Sequence, residues 1–130
     1  MVVLFVKGDS FWLLLVVWLL FEIHAEILSI EDSNSLETAL SSNKNFVLLS
    51  YAVNCRFSRK FLPVFRDVCD IAGLECGKLI CSNNRELCVK GNVRGVPNVK
   101  VYTEGKVIYR NEGFMTLDEF LDEIDNLNLK

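Results

Sequence analysis

The run Asn45–Val53, NFVLLSYAV, constrains the fold more than any other part of the chain. A strand with one wet face alternates apolar and polar side chains. This one is almost continuously apolar, so both of its faces need cover, as in the central strand of a sheet with helices above and below. The residues that follow supply part of that cover. From Cys55 to about Ala72, apolar Phe57, Phe61, Leu62, Phe65, Val68 and Cys69 recur at helical spacing. A buried strand running straight into an amphipathic helix places the chain in the α/β class. Pro63 falls inside the helix and is expected to bend it, because it removes a backbone donor and crowds the preceding turn.

The remaining segments extend the pattern. EILSI reads as a short first strand, and DSNSLETAL as a helix with Asn34 and Glu37 at capping-box spacing. LECGKLIC is a further strand, and SNNRELCVKGN a short helix running to Gly91. NVKVYTEGKVIYR reads as two strands joined at TEG, where glycine tolerates the positive φ of a tight turn. TLDEFLDEIDNLNL begins with Thr116 and Glu119 at capping-box spacing and gathers Leu117, Phe120, Leu121 and Ile124 on one face. The order is β-α-β-α-β-α-β-β-α, which predicts a central mixed sheet flanked by helices on both faces. No repeat, low-complexity tract or long linker interrupts residues 26–130, which read as one domain.

Residues 1–25 read differently. A basic Lys7, an apolar block from Phe11 to Phe21 and a small Ala25 have the layout of a secretory signal cleaved after Ala25. The apolar block is shorter than the roughly 20 residues that span a bilayer, which favours cleavage over the alternative, a signal anchor lengthened by the upstream VVLFV; after cleavage no membrane association is expected. Cleavage removes Lys7, Asp9 and Glu22 and takes the formal charge from −3 to −2. It also removes His24, the only histidine. A mature domain without histidine cannot run Ser-His-Asp or Cys-His catalysis. Near-neutral charge without a basic run argues against nucleic acid as a partner. All 5 cysteines lie beyond the signal, and an odd number in an exported protein leaves at least one thiol unpaired or bonded to another chain.

With NCRFSRKFLP at the second strand-to-helix junction and RGVPNVKVYTEGKV entering the hairpin, this order resembles the thioredoxin fold, in particular its protein disulfide isomerase branch. The resemblance covers essentially all of residues 26–130. It implies that Cys55 is the nucleophile, Ser58 stands at the position of the resolving cysteine, and Pro97 follows a cis peptide bond facing the site. It also matches Pro63 to the helix-kinking proline and Gly113 to the glycine before the last helix. The tetrapeptide C-R-F-S looks like the variant site of a retention chaperone of the early secretory pathway, which holds clients by mixed disulfides. Three residues depart from the pattern of active members: Asn54 replaces a tryptophan, Leu49 a buried carboxylate, and Met115 an arginine. The resemblance further implies that the Val96 backbone pairs with an extended client peptide, with Arg56, Phe57, Val96 and Pro97 forming the client surface. The expected partners are client proteins with free or disulfide-bonded cysteines, and glutathione. No cofactor is implied. The expected location is the endoplasmic reticulum lumen or the exterior, since DNLNLK carries no K-D-E-L-like retrieval signal.

The residues themselves bound the chemistry. Cys55 at a helix N-terminus, with Arg56, Arg59 and Lys60 nearby, is expected to have a depressed pKa. Its thiolate can enter a mixed disulfide, but the Ser58 hydroxyl cannot expel the client by forming one in turn. It can instead hydrogen-bond to the Cys55 sulfur. Cys69, 14 residues further along the helix, lies roughly 20 Å away, while bridged Cα atoms must come within about 7 Å. Net dithiol oxidation or reduction within the domain is thereby excluded, leaving trapping or slow shuffling. The alternative is a non-catalytic binding module with a degenerated redox site. Cys81 and Cys88 have the spacing of a structural bridge found in several disulfide isomerase domains. Cys69 and Cys76 either form a second bridge or pack as small apolar thiols. Without a C-x-x-C hook, a metal site is not expected. Phe61, Phe65, Phe114 and Phe120 read as core.

Overall fold

A computed structural model describes residues 12–16 and 26–129. Most of the expected secretory signal, including His24 and Ala25, lies outside the described residues. Residues 12–16 form an exposed helical stretch, and no helix among the described residues is long and apolar enough to cross a membrane.

The domain comprises β1 (Ile27–Ile30), α1 (Ser33–Ser42), β2 (Asn45–Tyr51), α2 (Arg56–Ala72), β3 (Cys76–Ile80), α3 (Arg85–Lys90), β4 (Asn98–Thr103), β5 (Lys106–Glu112) and α4 (Leu117–Asn126). The strands form one sheet in the order β1-β3-β2-β4-β5. Strands β1 and β2 flank β3 in parallel, while β4 runs antiparallel to β2 and β5 antiparallel to β4. This is the mixed α/β sheet expected from the sequence.

Period-two alternation divides β2 between two cores. Val47, Leu49 and Tyr51 join Phe61, Phe65 and Val68 of α2, and Phe120 and Ile124 of α4. Phe46 and Leu48 join Ile30, Ala39 of α1, Leu79, Cys88 of α3 and Tyr102 on the other side. The continuous apolar run is therefore two interleaved faces, each covered by helices.

Local chemistry sets the ends of the elements. α1 is capped by Asp32, not by Asn34 as the spacing suggested: the Asp32 carboxylate accepts from Ser35 N–H at 2.7 Å, and Ser35 Oγ accepts from Asp32 N–H at 3.1 Å. Extended backbone at Asp32 starts the helix early enough for a serine to fill the role usually taken by Glu or Gln. The Ser35 N–H, and after it the Ser35 hydroxyl, also hold the Asp32 carboxyl below its ordinary pKa. Thr116 caps α4 as expected, accepting from Glu119 N–H at 3.2 Å. Helix α2 continues through Pro63 and ends at Gly73 in the left-handed region, φ 62°. The β4–β5 turn places both Glu104 (φ 51°) and Gly105 (φ 78°) at positive φ, matching the twist of a two-residue hairpin.

Two disulfides brace the domain. Cys69–Cys76 ties the end of α2 to the start of β3, and Cys81–Cys88 ties the loop after β3 to α3. The question left open for Cys69 and Cys76 thus closes in favour of a bridge: the left-handed turn at Gly73 brings their Cα atoms to 6.4 Å.

Candidate functional site

The site is built where β2 gives way to α2. Beyond Tyr51, Cys55 N–H donates to Ala52 O at 3.2 Å, closing a tight turn. Cys55 is then the N-cap of α2, with Arg59 N–H donating to its carbonyl at 3.1 Å. The half-buried thiol is the only free one among the described residues. A second segment faces it. The Val96–Pro97 bond is cis, and the Cys55 thiol points at Val96 O with Sγ 3.9 Å away. Gly113 N–H donates to Pro97 O at 2.8 Å, tying this loop to the segment that leads into α4.

Ser58 lies one turn into α2 and is fully buried. Its hydroxyl accepts from Ala52 N–H at 3.3 Å, so it pins the turn that carries Cys55. In the thiol form Cys55 makes no capping bond to the first helical turn. Its pKa is nonetheless held below the ordinary thiol value. The Ser58 N–H contributes most and the Ser58 hydroxyl next, with partial burial opposing them and the Phe57 N–H and Arg59 charge adding smaller effects. Each of the favourable groups stabilises the anion more than the thiol. The serine at the resolving position thus supports the turn with its lone pair and the thiolate with its donors.

The other residues singled out from the sequence separate into two groups. Arg56 and Phe57 are exposed beside Cys55, Phe57 at 58 %, and Val96 is partly exposed. Pro97 is buried, so it shapes the loop and offers little contact surface. Val53 (52 % exposed) and Phe114 (41 %) are further exposed apolar side chains on the loops that form the site. Phe114 is therefore not core as its apolar character suggested. Gly113, at φ 99°, turns the chain off β5 and leaves the Phe114 ring half in solvent, edge-on to Phe61 at 6.0 Å. Val53 gave no signal of its own, because it completes an apolar run that otherwise reads as strand.

Leu49 and Met115, at two of the three departures, are both buried in the α2/α4 core. Leu49 therefore brings no titratable side chain into this core. Cys69 cannot resolve a Cys55 adduct, being buried and bonded to Cys76. Among the described residues no group of three or more His, Cys, Asp or Glu side chains is arranged to hold a metal ion.

A free cysteine capping the helix after the central strand, opposed by a cis-proline loop in a β1-β3-β2-β4-β5 sheet, defines a thioredoxin-type thiol protein. The chain belongs to the thioredoxin family, whose model matches residues 26–126. No curated protein sequence matches the chain. Among solved structures, a single-site mutant of a thioredoxin from Halobacterium salinarum is similar at a TM-score of 0.75 and 22 % identity, covering 81 % of this chain and 93 % of that one. Thioredoxin NaTrxh from Nicotiana alata is similar at 0.71 and 18 %, covering 79 % and 93 %. Human ERp44 is similar at 0.72 and 18 %, covering 81 % of this chain but only 30 % of its own length.

Proposed function

We propose that this protein is a protein disulfide isomerase-like member of the thioredoxin family that holds client proteins through Cys55 alone. Once residues 1–25 are removed, it acts in the endoplasmic reticulum lumen or outside the cell. Its partners are proteins with disulfide-bonded or free cysteines. The observation that carries this reading is the pairing of an activated N-cap thiol with a buried serine at the resolving position.

The chemistry follows from that pairing. The Cys55 thiolate attacks one sulfur of a client disulfide. A Cys55–client disulfide forms, the client S–S bond breaks, and the second client sulfur leaves as a thiolate that takes a proton from water. A client presenting a free thiol is captured when Cys55 already carries glutathione, with glutathione thiolate as the leaving group. The extended client strand pairs with Val96, and Phe57 and Arg56 contact its side chains. No second thiol expels it, so the adduct lasts until an external thiol attacks.

The alternative is a non-catalytic module that uses the exposed apolar rim without the sulfur. Leu49 and Met115, which fill core where active members carry a carboxylate and an arginine, favour it. The two readings separate in secretory cells treated with an alkylating agent and examined on non-reducing gels. Under the proposal the wild type forms reducible high-mass adducts that vanish in Cys55→Ala and fade in Ser58→Cys, which restores a resolving thiol. If all three run as free monomers, the redox reading fails and the binding module remains.

A further inference from the structure

The face of the sheet away from α2 and α4 carries a cavity of about 190 Å³ between β2, β4, α1 and α3. Its walls include Leu36, Leu48, Leu79 and Leu87. Two buried polar groups line it as well. Lys100 is only 3 % exposed, and its ammonium donates to Gly91 O. Ser50 is 1 % exposed, and its Oγ has no hydrogen-bond partner. They lie on one face of adjacent strands, since Ser50 opposes Asn98 and Leu48 opposes Lys100 in the β2–β4 register.

The charge in this cavity is uncompensated. No aspartate or glutamate lines it, and no carboxylate lies within ion-pair distance of Lys100 among the described residues. Lys90, largely exposed and paired with Glu86 at 3.8 Å, stands at the margin. A buried cation without a counter-ion and a buried hydroxyl without a partner are both costly, and such groups ordinarily find partners. Consistent with this, burial pushes the Lys100 amine below its ordinary pKa, and the Arg110 charge pushes the same way. A water-sized ligand would leave the leucine walls uncovered. The volume somewhat exceeds that of an engineered apolar cavity of about 150 Å³ that takes up benzene.

We infer that the cavity binds a small monocarboxylate with an apolar body, its carboxylate paired with Lys100 and accepting from the Ser50 hydroxyl, its body against Leu36, Leu48, Leu79 and Leu87. Such a ligand supplies at once the missing counter-ion, the missing acceptor and the missing apolar contacts. The site is separate from Cys55 and does not depend on the function proposed for it.

The test is titration of the ¹⁵N-labelled protein with hexanoate, using 1-hexanol as the uncharged counterpart. Hexanoate at millimolar concentration should shift the amides of Ser50, Leu87, Gly91 and Lys100 saturably and give intermolecular NOEs to the leucine methyls. Hexanol should bind at least about tenfold more weakly, since it lacks the charge-assisted bond to Lys100. Lys100→Met, which keeps the apolar stem, should abolish that preference, and Ser50→Ala should weaken hexanoate binding severalfold. The proposal is overturned if hexanoate gives no saturable shifts in the wild type, if hexanol binds as tightly, or if a folded Lys100→Met variant keeps the preference. Should Lys100→Met not fold, the wild-type NOEs and the hexanoate-to-hexanol ratio decide the matter alone.

Discussion

Gly77→Ala should destabilise the domain although it adds a single methyl group to a strand. Gly77 sits in β3 between β1 and β2, paired with Leu28 on one side and Leu48 on the other. Its φ is not positive, so the backbone itself accepts an L side chain. The obstacle is the neighbouring ring. A Cβ there would lie 2.5 Å from Phe46 Cζ, 3.1 Å from Phe46 Cε2 and 3.2 Å from Ile30 Cγ1, against about 3.5–4.0 Å for relaxed carbon contacts. Phe46 is fully buried, so its ring can move away only by disturbing packed neighbours. Overpacking of this kind costs about 1–3 kcal/mol, while the smaller unfolded-state entropy of alanine returns about 0.4–1 kcal/mol. The expected net loss is about 1–2 kcal/mol, read as a lower urea midpoint at unchanged slope. In thermal unfolding it appears as a fall of about 4–8 °C per kcal/mol. Phe46→Leu removes the far end of the ring, so the double mutant should recover about 1 kcal/mol relative to the sum of the single changes. If Gly77→Ala is neutral, or if the two changes add to within about 0.5 kcal/mol, the contact does not limit the site and the steric account is wrong.

Other consequences can be checked as directly. Ser58→Ala removes the second-largest influence lowering the Cys55 pKa and keeps the largest, the Ser58 N–H. The pH profile of Cys55 alkylation should therefore shift upward, with slower reaction at neutral pH; an unchanged profile would remove the hydroxyl from the account. Phe61→Ala deletes a ring packed 5.6 Å from Phe120, 6.3 Å from Phe65 and 6.0 Å from Phe114, and should cost about 3–5 kcal/mol in urea unfolding. Both disulfides span 7 residues, so loss of either should cost about 2–3 kcal/mol on the chain-entropy model. Their reduction should be ordered. Cys81 is partly exposed while Cys69 and Cys76 are fully buried, and mass spectrometry under native conditions should find Cys81 and Cys88 labelled before Cys69 and Cys76.

The two-sided burial of β2, the amphipathic α2, the Thr116 cap and the hairpin at Glu104–Gly105 are all written in local pattern. Each depends on side-chain period or on the backbone freedom of one or two residues, which sequence carries directly. The placement of Cys55 at a helix N-terminus follows in the same way, as does its lack of a second sulfur three residues on. Other features depend on distant segments. Val96 O reaches the Cys55 thiol across 41 residues, and Phe114 leaves the core only because Gly113 turns the chain after β5 has been placed. The bridging of Cys69 to Cys76 needed the turn at Gly73 to set two Cα atoms within reach. The Lys100 cavity is the clearest case. A lysine in an apolar strand reads as a solvent-facing residue until α1 and α3 close over it. The sequence by itself determined the order of elements, the cysteine that opens α2 and the serine three residues after it. Only the tertiary structure decided which polar groups lost their water, because burial is a property of the packed elements and not of any one of them.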